Sequence, residues 1–154
     1  MTLDISQLSE GELPEAKKLI KKVFMTFEAP DYSDEGITHF MLYLAETLEK
    51  EVTTGQVRIW CGKEDHKIVG VLAVRLPAHI ALLFVDETYH RQGIAKKLYQ
   101  AMLLALTPNH LTVNSSPYAI PIYKRLGFRC VGQEEVVSGI RFQPMVLTRE
   151  DGEK

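Results

Sequence analysis

The tract Asp86 to Lys97, DETYHRQGIAKK, carries the most conspicuous chemistry in the sequence. A polar turn there leads through Gly93 into a stretch with a helical apolar stripe. The first N–H groups of a helix have no intrahelical partner, and the macrodipole makes that end positive. His90, Arg91, Lys96 and Lys97 add donors and positive charge. Together they read as the seat of a pyrophosphate-bearing cofactor. The tract has neither the Gly-Lys-Ser/Thr ending of a P-loop nor the three-glycine dinucleotide fingerprint, which disfavours the common nucleotide folds.

The remaining composition narrows the setting. The chain has 154 residues, 45% hydrophobic and 25% charged, with a net charge of -2. These values suit one soluble domain spanning residues 1–154. There is no overall basic field for nucleic acid, and no apolar run approaches the roughly 18 residues of a membrane span. MTLDISQLSE lacks the basic and apolar parts of a signal peptide, so a cytoplasmic location is expected. Cys61 and Cys130 are expected to be core thiols, although sequence alone does not exclude a disulfide. His39, His66 and His110 have no metal-ligand spacing, and no metal is expected.

The elements that must position the tract follow from periodicity. Thr2 to Ser6 reads as a short strand. Glu10 to Phe27 reads as a helix ending before Glu28-Ala29-Pro30. Ser33 is a candidate N-cap for a second helix reaching Glu51. Gln56–Gly62, His66–Arg75 and His79–Val85 follow as an antiparallel meander. The helix from Gly93 stops near Thr107-Pro108. Leu111–Asn114 is then a strand parallel to His79–Val85, because a helix joins the two. Ser116-Pro117 reads as a helix start, with Gly127 as the terminator. Phe128–Val137 and Ile140–Thr148 read as a closing hairpin, in which Pro144 marks an edge or a bulge. Arg149 to Lys154 reads as a solvated tail.

His90-Arg91-Gln92-Gly93-Ile94-Ala95 resembles the Gln/Arg-x-x-Gly-x-Gly/Ala signature of the GCN5-related N-acetyltransferase (GNAT) superfamily. Gly93 and Ala95 match, while His90 replaces the usual Gln or Arg. Ala119, Tyr123, Gly127 and Phe128 match the superfamily's Ala-x-x-x-Tyr-x-x-x-Gly-Phe pattern. The resemblance implies an α/β (α+β) fold with a mixed, mostly antiparallel sheet. A parallel strand pair would splay at its centre, and about four helices would flank it. It also implies acetyl-CoA, or another short acyl-CoA, as co-substrate.

The reaction so implied is acetyl transfer to a primary amine of a small molecule or peptide, by direct attack in a ternary complex. The resemblance places the backbone of Leu83, Phe84 and Val85 against the acetyl carbonyl and pantetheine amides. His90 through Lys96, including Gln92 and Ile94, would hold the pyrophosphate. Asn114 and Ser116 would border the thioester, with capping an alternative role for Ser116. Tyr123 is the candidate general acid, a phenol being an accepted proton donor. His79, with an unperturbed pKa of about 6.5, is a candidate general base at the matching strand position. Glu28, Asp31 and Tyr32 border the expected acceptor site and rival it for that role. With Asp34 and Glu35 the two acids form a cluster suited to a cationic amine. The superfamily also suggests a homodimer. A different reading is a non-catalytic acyl-CoA sensor, which would bind the thioester without turnover.

Overall fold

Period-two alternation and 3.6-residue stripes sort the described residues into eight strands and five α-helices. A computed structural model describes residues 3–149, so Thr2 and the tail beyond Arg149 lie outside the described residues. Strand β1 (Leu3–Gln7) leads to helix α1 (Leu13–Val23). The helix begins later than Glu10, with Pro14 in its first turn, where a missing N–H costs nothing. It does not end before Glu28. Phe24–Glu28 widens into a π turn and Ala29–Asp31 tightens into a 3₁₀ turn.

Ser33 caps α2 (Asp34–Leu42), accepting the Gly36 N–H at 3.2 Å. A second π turn, Tyr43–Thr47, joins α2 to α3 (Leu48–Thr53) in one continuous helical run. Strands β2 (Val57–Glu64), β3 (Lys67–Arg75) and β4 (His79–Val85) form the expected meander, which β1 extends through β2. Helix α4 (Ile94–Leu106) crosses to β5 (His110–Ser115), parallel to β4. Helix α5 (Ile120–Leu126) follows and ends at Gly127, in the left-handed conformation with φ 107°.

The closing hairpin differs from expectation. Phe128–Val137 is not one strand but two, β6 (Arg129–Cys130) and β7 (Glu135–Val137), both paired with β8 (Ile140–Thr148). Nor is β8 an edge strand, since the order is β1-β2-β3-β4-β5-β8-β6. Pro144 explains the division. Val131 donates its N–H to the Pro144 carbonyl at 3.0 Å, but proline has no N–H to return. The Gln143 side-chain amide reaches the Val131 carbonyl instead, at 3.3 Å. Cys130, on two-residue β6, is exposed rather than a core thiol, whereas Cys61 is buried; both are free. Arg149 is tied back, its N–H donating to the Asn109 carbonyl at 2.7 Å.

Each face of the sheet carries its own core. Phe24, Ile20, Leu48, Val71, Leu82 and Phe84 meet under α1 to α3. Leu72, Ile80, Leu98, Met102, Leu111 and Tyr123 meet under α4 and α5. The β7–β8 turn then docks on the start of α2 through backbone contacts and the Ser33 hydroxyl, which donates to the Gly139 carbonyl at 3.5 Å. Gly139, at φ 79°, places its carbonyl 3.3 Å from the Ser33 N–H, and a Cβ on Gly36 would collide with that carbonyl. Gly36→Ala must displace the hairpin. It is expected to cost about 1–3 kcal/mol, the usual range for overpacking, read as a lower denaturation midpoint. An unchanged midpoint would show that the hairpin is not seated on α2.

Candidate active site

The site begins where two strands part. Parallel pairing of β4 with β5 covers His79↔Thr112 and Ile80↔Val113 and then stops. At that point the β3–β4 register shifts: Ala73 faces Leu82 and Val74 faces Ile80, leaving Ala81 as an extra residue. A bulge bends its strand and strengthens the local twist. Past Ala81, β4 stays on β3 while its other edge separates from β5. Val85 uses that free edge, its carbonyl meeting His90 Nε2 at 2.8 Å. Alternation along the strand turns the Leu83 peptide groups the same way.

The turn after β4 is built to present N–H groups. Asp86 is 3% exposed and caps it, its Oδ1 accepting the Thr88 N–H at 3.0 Å and the Thr88 hydroxyl at 2.8 Å. Its Oδ2 accepts Lys22 Nζ at 3.2 Å, which fastens the turn to α1. Burial pushes the Asp86 carboxyl up, but Thr88 and Lys22 outweigh it and hold the group ionised. Tyr89 donates to Glu64 Oε1 at 2.8 Å, which anchors the turn to the end of β2. Arg91 and Gly93 both adopt positive φ, 66° and 76°, and Gly93 is the residue from which α4 departs. Arg91, Gln92, Gly93 and Lys96 are exposed, Ala95 is half-buried, and the Ile94 side chain is in the core. Gln92 turns back to the Thr88 carbonyl.

Beyond the bulge, groups from opposite faces of the sheet meet. Glu28, from the π turn of α1, is 9% exposed, and the Ser116 side chain acts on its carboxyl. Burial first, and the charge of Asp31 second, push its carboxyl up to about 7 against the pull of Ser116. Tyr123, from α5, is 4% exposed; burial and the Glu28 charge raise its pKa, keeping the phenol protonated. Tyr32 is raised by burial and by Glu28 and Asp31, and Tyr118 by burial and Glu28. Helices on opposite faces of a continuous sheet are separated by its backbone. Here the Glu28 charge acts on the Tyr123 phenol, and β4 and β5 have ceased to pair. Phe27 bridges the same opening, its ring centroid 4.9 Å from Tyr118 and 5.2 Å from His90.

Several residues singled out from sequence converge here: Glu28, Asp31, Tyr32, Ser116 and Tyr123 share one electrostatic neighbourhood. Asn114 is exposed near the end of β5, and Phe84 packs into the α1 side. His79 stands apart. It lies in the closed part of the strand pair, with Nδ1 2.7 Å from Thr112 Oγ1, and burial and Arg75 lower its pKa. Six residues of strand, about 20 Å, separate it from Val85. Asp31 is not free to act alone, because Arg141 pairs with it at 3.5 Å and with Glu134 at 3.1 Å. Sequence reasoning missed Asp86, which the Asp-x-Thr turn pattern signals. It also missed Phe27 and Tyr118 at the opening, for which no local pattern exists. Among the described residues, no group of three or more His, Cys, Asp or Glu is placed to hold a metal, and no helix is long and apolar enough to cross a membrane.

Comparisons with known proteins agree with this architecture. A GCN5-related N-acetyltransferase from Rhodopseudomonas palustris superposes with a TM-score of 0.81 at 17% identity, covering 96% of each chain. The PaiA N-acetyltransferase of Thermoplasma acidophilum, solved with coenzyme A, gives 0.76 at 16% identity over 96% of this chain and 99% of that one. In sequence, the chain is 30% identical over 117 residues to the N-acetyltransferase YafP of Escherichia coli, covering 76% of this chain and 74% of that protein. A family model described as an acetyltransferase (GNAT) domain matches residues 28–149. That match takes in the π-turn carboxylate, the strand bulge, the β4–α4 turn and the α5 tyrosine, and the chain belongs to the GNAT acetyltransferase family.

Proposed function

We infer that the protein is an acetyl-CoA-dependent N-acetyltransferase in which Glu28 is the general base and Tyr123 the general acid. The observation that carries this reading is a carboxyl group poised near neutrality opposite a protonated phenol, across the only parting of parallel strands among the described residues. Acetyl-CoA would supply the activated acetyl group as a thioester. The residues present suit it: the Arg91–Gly93 turn offers backbone N–H groups and open space at Gly93, and the free edge of β4 offers Leu83 and Val85. The bound partners inferred are this co-substrate and a small or peptide amine, with a homodimer as the assembly consistent with the family.

Each step falls to a named group. An alkyl ammonium has a pKa of about 10.4 and must lose a proton before it attacks. The ionised Glu28 carboxylate accepts that proton, and its value near 7 matches the working pH. Peptide N–H groups on the free edge of β4 face the charge that develops on the thioester oxygen. Tyr123 then gives its proton to the departing sulfur. Asp31 and Tyr32 line the approach of the amine, with Arg141 offsetting the Asp31 charge. His79 is assigned a structural hydrogen bond to Thr112 rather than the base role.

Release of free thiol from acetyl-CoA, measured across a panel of amines, tests this reading. Glu28→Gln and Tyr123→Phe are each expected to lower kcat about 10²–10⁴-fold, the usual worth of a general acid or base. Acetyl-CoA binding should stay near wild type in both. For wild type, kcat/KM should rise with pH through about 7 as Glu28 ionises. Full turnover by Tyr123→Phe with every amine would remove the acid role. Binding of acetyl-CoA with no thiol release from wild type would identify a sensor instead.

The same burial predicts a stability effect. Glu28 binds its proton more tightly folded, near 7, than at its ordinary value of 4.5. Its stabilising contribution is therefore complete below about pH 4.5 and is lost as pH rises through about 7. Glu28→Gln escapes that loss. Its stability relative to wild type should improve between pH 4.5 and 8 by about 3 kcal/mol, measured by chemical denaturation. A pH-independent difference between the two proteins would contradict the buried carboxyl.

A further inference from the structure

The Val85 carbonyl points away from β3. The next residue, Asp86, donates its N–H to the Val69 carbonyl on the β3 side at 2.8 Å. Successive peptide groups of a strand face opposite edges, so those of Val85 face the edge that β5 has left. There His90 Nε2 stands 2.8 Å from the Val85 carbonyl. A carbonyl oxygen only accepts, so that ring nitrogen carries the proton and donates. The imidazole thus stands where the N–H of a paired chain would stand. It is also the residue at which the tract departs from the signature it resembles.

The turn that carries His90 does not depend on this contact. The His90 N–H is held by the Glu87 carbonyl at 3.2 Å, and the Tyr89 N–H by the Asp86 carbonyl at 2.9 Å. The Asp86 carboxylate closes the same turn through Thr88. The half-buried imidazole can therefore leave the strand by rotating about its own side-chain bonds, with the backbone in place. The ring also meets Phe27, at 5.2 Å between centroids and tilted by 43°, while Phe27 stacks on Tyr118. Rings from the β4–α4 turn, the π turn of α1 and the β5–α5 turn so form a row across the opening. His90 is the member of that row that hydrogen-bonds the strand edge.

We propose that His90 is an internal competitor for the co-substrate: its imidazole holds the Val85 carbonyl to which a pantetheine N–H would pair, so that binding must displace the ring. This rests on the reading of acetyl-CoA as co-substrate. The coenzyme then gains one hydrogen bond only by breaking another. A protein whose binding-competent form is a fraction of the whole binds more weakly by that fraction. His90 therefore sets affinity in the direction opposite to that of a residue that grips its ligand, and removing it tightens binding.

Calorimetric titration with coenzyme A itself tests this apart from turnover. His90→Ala should bind about fivefold more tightly than wild type, the worth of one hydrogen bond of ordinary strength. Equal or weaker binding by His90→Ala, beside a wild type that binds, would show that the histidine supports the site or shares the carbonyl, and overturns the proposal. No binding of coenzyme A by wild type removes the acetyl-CoA reading instead, and the proposal with it. Independently, proton NMR reads the contact between the His90 and Phe27 rings, assigned through His90→Ala. The nuclear Overhauser effect between them should be present in the protein alone and vanish when coenzyme A saturates it. An effect that persists at saturation shows that the ring stays in place and overturns the displacement. If His90→Ala is not recovered folded, His90→Leu, near to histidine in size and unable to donate, serves for the titration and the assignment.

Discussion

The structure depends on one failure of strand pairing. After Ile80 and Val113, β4 and β5 cease to share hydrogen bonds, and Ala81 is the residue that separates them. An unpaired strand edge inside a sheet is costly, because buried peptide groups need partners. The molecule satisfies one of them with its own histidine, at the Val85 carbonyl. Past the bulge, Leu82 and Phe84 pack in the core under α1 to α3, while Ile80 before it and Leu83 and Val85 after it pack in the core under α4 and α5. The extra residue at Ala81 thus changes which alternate side chains face each core.

Around that opening the polar groups are chosen to be held, not to be free. Asp86 sits under the β4–α4 turn with both carboxylate oxygens engaged. Glu28 sits on the other side of the opening, with no cation among the groups that act on it. The contrast decides their protonation. Asp86, capped by N–H and ammonium donors, stays charged and structural. Glu28, nearly as buried but poorly compensated, is left close to neutrality and able to exchange a proton.

Much of this was legible in residue order. The Gly93 turn, the Ser33 cap, the meander and the Gly127 terminator each follow from local chemistry, and each stands where expected. What was not legible arose from long-range competition. No local pattern marks Ala81 as a bulge, because Ile80 to Val85 is an unbroken apolar run with no alternation to interrupt. Pro144 announced an irregularity, but its effect fell on the partner strands β6 and β7 rather than on β8 itself. Ser116 was readable as a cap, and it does accept from Ala119, although the regular helix starts only at Ile120. The Glu28 carboxyl on which its side chain acts lies 88 positions earlier in the chain. That His79 falls in the closed part of the strand pair likewise depends on the direction in which the pair opens, which strand periodicity does not contain.

The π turn at Phe24–Glu28 can be considered as a matter of chain length. A π turn amounts to one residue inserted into an α-helix. An α-helix advances about 100° per residue, so closing the insertion would rotate everything after it by that angle. Glu28 would leave the strand gap, and Phe27 would lose Tyr118 and His90, with no change in any side chain. The phasing of the acidic group is therefore stored in a count of residues rather than in their kinds. Relatives that keep every motif but differ by one residue before this acid would carry a differently aimed helix end.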